Sequence, residues 1–171
     1  MPYNYGDTLG EYWATINAVT LWDVSVQRII EISGPDAFKF MSLLTPRDIS
    51  KVKPGRCRYV IMTNAEGGIL NDPVMLRSDL DVDISAPEVY PVQLQGPKSP
   101  KVVAALFGED ILDLGYYHCT SAEVDGIPVV VSRTGFSAEV GFEVYLQDKT
   151  RGEDLWEMII EAGQPHGLVV S

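Results

Sequence analysis

Hydrophobic residues recur along the chain with two different periods, and each period predicts a different kind of element. Between residues 22 and 32 they fall on even positions, which is the period of a half-buried β-strand. Over residues 37–44 they share one helical face, with Phe40 facing inward, and a last amphipathic helix is predicted over residues 154–162. Strands and amphipathic helices in one chain predict helices packed on sheet.

The middle of the chain predicts a β-hairpin with a carboxylate in its second strand. Residues 58–63 and 69–76 are apolar runs, and Asn64-Ala65-Glu66-Gly67-Gly68 lies between them. This segment has turn chemistry, because glycine accepts a positive φ and asparagine bonds its own backbone. Asp72 interrupts the second run, and an ionised group is costly to bury unpaired. It is therefore either a solvated residue at a kink beside Pro73 or a functional carboxylate.

One short pattern occurs twice and indicates an internal duplication. Residues 30–35 and 92–97 read Ile-Glu-Ile-Ser-Gly-Pro and Val-Gln-Leu-Gln-Gly-Pro, and a helix is predicted after each, the second over residues 98–107. Two copies are too few for a solenoid. Further strands are predicted at residues 126–131 and 141–146. The predicted fold class is α+β, with duplicated strand–Gly-Pro–helix units and largely antiparallel sheets against packed helices.

Composition and charge narrow the function classes. The chain has 171 residues and a formal net charge of −11, which argues against nucleic-acid partners because these need basic surface. Cys57 and Cys119 lack metal-type spacing and suit a reducing cytosol. The first residues do not resemble a signal peptide, and no apolar run reaches the length of a membrane span. A cytoplasmic protein with no membrane association is expected.

Five sequence blocks occur in the order seen in one known family. The blocks are Leu21-Trp22-Asp23-Val24-Ser25, Gly34-Pro35-Asp36-Ala37, Gly67-Gly68-Ile69-Leu70-Asn71-Asp72, Leu94-Gln95-Gly96-Pro97-Lys98 and Ser132-Arg133-Thr134-Gly135-Phe136-Ser137-Ala138-Glu139-Val140-Gly141-Phe142-Glu143. On these blocks the chain resembles the folate-binding domain of the aminomethyltransferase family, typified by the T-protein of the glycine cleavage system, over about residues 9–168.

Within that family the chain is most similar to the tetrahydrofolate-dependent demethylase branch that acts on dimethylsulfoniopropionate. Thr45-Pro46-Arg47-Asp48, Gly55-Arg56-Cys57 and Asn71-Asp72-Pro73-Val74 resemble that branch. The T-protein keeps a tyrosine at the position of Leu76, so its replacement weakens an aminomethyl-carrier interpretation. The branch similarity leaves the methyl donor itself open.

The resemblance implies a folate-dependent one-carbon transferase that moves a methyl group from a small-molecule donor, such as a sulfonium propionate, to tetrahydrofolate. The alternatives are a glycine-cleavage-type aminomethyltransferase and a folate-binding module without turnover. Carried over by position, Asp72 is the catalytic carboxylate and Tyr59 a site tyrosine, while Glu143 holds the pterin ring and Phe136 flanks it. The sequence does not decide between a monomer and a homo-oligomer.

Ordinary structural interpretations compete at three of these positions. By strand period alone Glu143 faces solvent, since Phe142 and Val144 are apolar. The alternative for Tyr59 is a core tyrosine with a satisfied hydroxyl, and the alternative for Phe136, which follows a glycine, is ordinary packing. The hypothesis of a folate site therefore predicts that all four candidate side chains meet at one cavity.

The family pattern also predicts how the domain divides. Residues 1–77 and 81–171 are expected to be the two half-units of the folate-binding domain. Compared with full members, a helix and a strand are expected to be missing near residues 78–84, between the equivalents of Arg77 and Asp81. A C-terminal barrel domain and a folate-contacting arginine are expected to lie outside the chain, after Ser171.

Overall fold

The computed structural model describes residues 5–77 and 90–171. Its helices are α1 (Thr8–Asn17), α2 (Ala37–Leu44), α3 (Ser99–Phe107) and α4 (Gly152–Gly163), with short 3-10 turns at Glu109–Asp113, Lys149–Arg151 and Gln164–His166. Its strands are β1 (Val19–Asp23), β2 (Arg56–Tyr59), β3 (Met62–Thr63), β4 (Ile69–Asn71), β5 (Val74–Arg77), β6 (Tyr90–Gln95), β7 (Cys119–Val124), β8 (Ile127–Ser132), β9 (Gly141–Leu146) and β10 (Leu168–Val170).

A six-stranded sheet in the order β10-β1-β6-β9-β8-β7 organises the fold. Its pairs are antiparallel except for β1 with β10, which run parallel. The strands β7 and β8 form a hairpin, and β7 is an element that the periodicity does not predict. The predicted α+β class with largely antiparallel sheet is confirmed.

The two faces of this sheet differ in chemistry, because successive side chains along a strand point in opposite directions. One face is apolar and packs against α3 and α4. Its members and their helical partners include Leu21, Leu94, Phe142, Val144, Val102, Val103, Leu155 and Ile159. The opposite face is polar yet equally buried, and it carries Thr20, Gln93, Gln95, Ser132 and Glu143. This buried polar face is where chemistry can be placed.

The predicted hairpin forms, with a break at its centre. Strands β2 and β5 pair antiparallel, and so do β3 and β4. Between these pairs the amide of Val60 donates to the carbonyl of Pro73 at 3.0 Å. Asp72 lies in this break and is exposed. The apolar side of the hairpin layer packs on a second core cluster around Ile49 and Val52.

Backbone hydrogen bonds join the hairpin to the six-stranded sheet. The amide of Cys57 donates to the carbonyl of Tyr117 at 2.8 Å, and the amide of Cys119 donates to the carbonyl of Gly55 at 2.9 Å. Both cysteines are buried with free thiols. The neighbouring Cys119 thiol, followed by burial, raises the pKa of the Cys57 thiol. Residues far apart in the sequence therefore meet beneath the hairpin.

Two details of the sequence prediction are wrong. The first strand is Val19–Asp23 and does not run to Ile32, because the amide of Ser25 donates to Asp23 Oδ1 and the chain turns. Of the alternating apolar residues, Val26 and Ile30 are exposed, while Val24 and Ile32 are half-buried. In α2 it is Phe38 that packs on the second core cluster, while Phe40 is exposed.

The Gly-Pro segments of the proposed repeat adopt the same local structure. Gly34 and Gly96 have φ values of +100° and +122°, which favour glycine. The amides of Ala37 and Ser99 then donate to the carbonyls of these glycines at 3.0 and 2.9 Å. Only the second copy is preceded by a strand of the sheet. The turn and helix therefore recur, and the strand does not.

Several predictions concern residues 78–89, which lie outside the described part of the chain. They include the missing helix and strand near residues 78–84 and the start of the second half-unit at residue 81. The division into half-units stays a prediction. Within residues 5–77 and 90–171, none of the helices combines the length and the apolar character required to cross a membrane.

Candidate active site

A cavity of about 320 Å³ opens where the β2–β5 hairpin meets the ends of β8 and β9. Strand β2 contributes Tyr59, strand β9 contributes Glu143, and the loop after β8 contributes Phe136. The structure thus brings three of the four predicted site residues to one cavity. Its lining residues are Tyr59, Val74, Tyr117, Thr134, Gly135, Phe136 and Glu143.

Glu143 is the buried carboxylate of this cavity, with a side chain that is 3% exposed. The prediction from strand period that it faces solvent is wrong, because β9 is an inner strand whose polar face is also covered. Its Oε1 accepts a bond from Gln93 Nε2 at 2.6 Å. Its Oε2 accepts bonds from Tyr145 at 3.1 Å, Ser132 at 3.4 Å and Thr134.

All four donors to Glu143 are neutral, and none of the ion pairs between described residues involves it. Three hydroxyls approach Oε2, but those of Ser132 and Thr134 lie 2.5 Å apart and have one proton each, which they share between Oε2 and each other, while Oε1 accepts a single bond. The negative charge is thus held without a cation, and Oε1 keeps capacity for an N–H donor from a ligand.

Tyr145 gives this network a measurable pH signature. Burial, followed by the charge of Glu143, raises the pKa of Tyr145 above its ordinary value. Tyrosines of the unfolded chain ionise at about pH 10, while folded Tyr145 keeps its proton. The stability it contributes is therefore present below about pH 10 and is lost as the pH rises above that value. We expect the Tm to fall with pH above about pH 10 more steeply in the wild type than in Tyr145→Phe.

Thermal unfolding at several alkaline pH values, with tyrosinate absorbance recorded in parallel, measures this difference. Tyr12→Phe is the matched control, because Tyr12 is 55% exposed and should leave the slope unchanged. Equal slopes in the wild type and Tyr145→Phe would contradict the prediction.

Asp72 reaches the cavity through Tyr59. The Tyr59 hydroxyl donates a hydrogen bond to Asp72 Oδ2. This bond, followed by burial and the Asp72 charge, raises the pKa of Tyr59, so the phenol keeps its proton and holds the carboxylate. The amide of Asp72 donates to Asn71 Oδ1 at 2.9 Å, which fixes its backbone. Asp72 does not line the cavity wall, but it is bonded to a residue that does.

The Phe136 loop, residues 133–140, is held by Gln95 from the polar face of the sheet. Gln95 Oε1 accepts a bond from Ser137 Oγ at 2.7 Å, and its Nε2 donates to the Thr134 carbonyl at 3.5 Å. A Cβ at Gly135 would collide with the Gln95 side chain. Phe136 is 63% exposed at the cavity mouth and thus presents a free ring face. The motif containing Gln95 is recognisable in the sequence, but its role as a loop anchor is not.

Tyr117 is a lining residue that the sequence interpretation misses. Its φ is +58°, a region that bulky residues rarely adopt. Two hydrogen bonds hold it there, because its amide donates to the carbonyl of Arg133 at 3.1 Å and its carbonyl accepts from the amide of Cys57 at 2.8 Å. Burial, followed by the charge of ionised Tyr116, raises the pKa of Tyr117. The Tyr116-Tyr117 pair is visible in the sequence, but a positive φ is not.

The chemical character of the cavity is aromatic and acidic. It combines aromatic rings with the carboxylate of Glu143 and neutral hydrogen-bond donors, and a second carboxylate, Asp72, is bonded to the lining residue Tyr59. Across the described ranges, no group of three or more His, Cys, Asp or Glu side chains is placed to hold a metal ion. Such a site suits a flat, N–H-bearing ligand with a small cationic group nearby.

Comparison with known proteins places the chain in a family. The family model described as GCVT N-terminal domain matches it over residues 1–84 and again over residues 77–171. The solved structure of the glycine cleavage system aminomethyltransferase T from Bartonella henselae is similar, with a TM-score of 0.85 and 25% sequence identity. That match covers 99% of this chain and 52% of the other.

Two curated relatives show the range of activities among similar proteins. The dimethylsulfoniopropionate demethylase of Ruegeria pomeroyi is 33% identical over 170 residues, which cover 85% of this chain and 47% of that protein. An aminomethyltransferase of Streptomyces avermitilis is 31% identical over 197 aligned positions, covering 99% of this chain and 53% of the relative. The chain spans about half the length of these relatives. With both of its parts matched, the chain belongs to the GCVT N-terminal domain family.

Proposed function

We propose that this chain belongs to a tetrahydrofolate-dependent demethylase or methyltransferase that moves a methyl group from a small sulfonium donor to tetrahydrofolate. One observation carries the proposal: a single cavity combines the buried carboxylate of Glu143 with Tyr59, whose hydroxyl bonds Asp72. Similarity to a demethylase that acts on a sulfonium propionate supports the choice of donor.

Glu143 and Phe136 are proposed to bind the pterin. The aminopyrimidinone edge of a pterin offers two parallel N–H donors, which suit a carboxylate acceptor. The bond from Gln93 holds Oε1 of Glu143 in place, which supports this role. The exposed ring of Phe136 then offers a face for offset stacking. One N–H of the ligand would bond Oε1 as it stands, and the second would take a place on Oε2 that one of the three hydroxyls now holds.

The proposed reaction needs positioning more than covalent catalysis. The bond between sulfur and the methyl carbon breaks, and its electron pair stays on sulfur, which leaves as a neutral thioether. A bond forms between N5 of tetrahydrofolate and the methyl carbon, and the N5 proton is released. Holding nucleophile and methyl group in line can supply several kcal/mol of the barrier reduction, on the order of 7 or more in favourable cases.

Asp72 is proposed to act on the charges of this reaction. Its carboxylate can hold the cationic sulfur in place or accept the proton released from N5. Tyr59 fixes one oxygen, Oδ2, and leaves Oδ1 for either task. Tyr59 itself is assigned a positioning role, because its raised pKa keeps it a donor.

A second candidate is aminomethyl transfer to the same folate. The aminomethyltransferases of Streptomyces avermitilis and Thermoanaerobacter are 31% and 28% identical and cover 99% and 98% of this chain. The pterin contacts proposed above would serve either reaction. The two differ in donor, so a donor comparison separates them. Folate binding without turnover is the third outcome.

Isothermal calorimetry and a product assay test the proposal together. We expect the chain to bind tetrahydrofolate and to form 5-methyltetrahydrofolate when dimethylsulfoniopropionate is added. Methylene transfer from an aminomethyl-lipoyl carrier in place of methyl transfer would favour the second candidate. Binding without any product would support a folate-binding module, and absence of binding would overturn the proposal.

A further inference from the structure

We propose that Arg47 binds a carboxylate group of a ligand seated in this cavity, an inference that rests on the proposed function. Arg47 belongs to the turn that follows α2. Its Nη1 donates to the carbonyl of Tyr59 at 2.8 Å, so the guanidinium is tied to the strand that carries a lining residue. Its amide donates to the buried Thr45 hydroxyl at 3.2 Å, which secures the backbone of the turn.

The charge of Arg47 also affects the pKa of a residue that lines the cavity. The pKa of Tyr117 is raised chiefly by burial, and the positive charge of Arg47 opposes that rise. Arg47 is not itself a lining residue. It is bonded to one lining residue, Tyr59, and its charge acts on a second, Tyr117, so its guanidinium lies near this part of the cavity wall.

Most of the hydrogen-bonding capacity of Arg47 is unused. A guanidinium has five N–H donors in a planar fork, and one described bond, to Tyr59, engages it. No ion pair between described residues involves Arg47, and the residue is exposed. A fork with free donors and no carboxylate partner is suited to bidentate binding of a carboxylate.

The surrounding charges make such a cation necessary for an anionic ligand. Glu143 and Asp72 are both acidic, and the chain carries a net charge of −11. A ligand carboxylate near them would be repelled unless a cation compensates. Residues 45–77 provide this locally, with six basic and three acidic side chains. Within that basic segment, Arg47 is bonded to a residue of the cavity wall.

Both ligands of the proposed reaction carry a carboxylate. A sulfonium propionate has one on its donor chain, and tetrahydrofolate has two on its glutamyl tail. The chemistry recognised by Arg47 is the same in either case. Ligands that lack the carboxylate distinguish the two sources, namely trimethylsulfonium as donor and a tetrahydropterin without the glutamyl tail as folate.

Calorimetry with these four ligands on Arg47→Gln tests the inference without requiring turnover. We expect the affinity for one of the two carboxylate-bearing ligands to fall by about tenfold or more, because the charge-assisted hydrogen bonds of the fork are lost, while the affinity for its carboxylate-free analogue is unaffected. Arg47→Lys keeps the charge but loses the fork, so its affinity for that ligand should lie between those of the wild type and Arg47→Gln. Lys51→Gln is the matched control, because it removes a positive charge from the same exposed segment.

The outcomes separate this inference from the proposed function. Selective weakening for the sulfonium propionate assigns Arg47 to the donor, and selective weakening for tetrahydrofolate assigns it to the glutamyl tail. If the wild type binds the ligands and Arg47→Gln binds them equally well, the inference is overturned and the proposed function stands. The same conclusion follows if Arg47→Gln weakens binding equally for ligands with and without the carboxylate. If the wild type binds none of the four ligands, the proposed function and this inference both fail.

Discussion

Replacing Glu143 with glutamine is expected to weaken tetrahydrofolate binding by about a hundredfold, because two hydrogen bonds to a charged acceptor are lost or reversed. The amide has one acceptor oxygen where the carboxylate has two. Its NH₂ group would present N–H donors either to Gln93 or to the hydroxyls of Tyr145 and Thr134. The edge left for the pterin would therefore be mismatched.

The measurement is the calorimetric dissociation constant for tetrahydrofolate in both proteins. Circular dichroism and thermal unfolding establish that the variant is folded, and the nearly equal size of the two side chains favours this. Glu139→Gln is the matched control, since Glu139 is an exposed acid in the Phe136 loop. An unchanged affinity in Glu143→Gln would show that this carboxylate is a structural group of the sheet and not a pterin acceptor.

Local signals in the sequence are sufficient to predict the turns and the helices. The hairpin at Asn64 forms as predicted, because the Asn64 side chain accepts bonds from the amides of Glu66 and Gly68. The Gly-Pro segments likewise begin helices in both copies. Such features depend on contacts within a few residues, which the sequence displays directly.

Features set by distant contacts are not readable in the same way. Apolar alternation after Asp23 predicts strand, although pairing with β6 is described only as far as Asp23 opposite Val92. The period also assigns Glu143 to solvent, since a two-residue repeat cannot show that both faces of β9 are covered. The resemblance to a family, and not the pattern, points to Glu143.

The same limit applies to Tyr117 and Arg47. The positive φ of Tyr117 is maintained by partners on β2 and after β8, which meet only in the folded chain. Arg47 stands in a motif that ends a helix, and its bond to Tyr59 cannot be inferred from that position. Cavity walls assembled from several elements are therefore the part of this site that requires a structure.

Replacing Asp72 with asparagine is expected to lower the rate of methyl transfer by about a hundredfold or more, the usual effect of removing a group that stabilises charge in the transition state. Affinity for tetrahydrofolate should change little, because Asp72 lies outside the cavity wall that holds Glu143. The expected signature is thus a loss in kcat at nearly constant folate affinity. Single-turnover formation of 5-methyltetrahydrofolate, with calorimetry alongside, measures both quantities.

A double-mutant cycle with Tyr59 decides how the two residues share this role. Tyr59→Phe removes the bond that fixes Asp72 Oδ2, so we expect a smaller loss of about tenfold, the value of one charged hydrogen bond. If Tyr59 acts through Asp72, the double variant should be no slower than Asp72→Asn alone. Glu66→Gln, which removes an exposed acid from the same hairpin, should retain the wild-type rate. A wild-type rate in Asp72→Asn would return this residue to its simplest interpretation, a solvated aspartate at a break between two short strands.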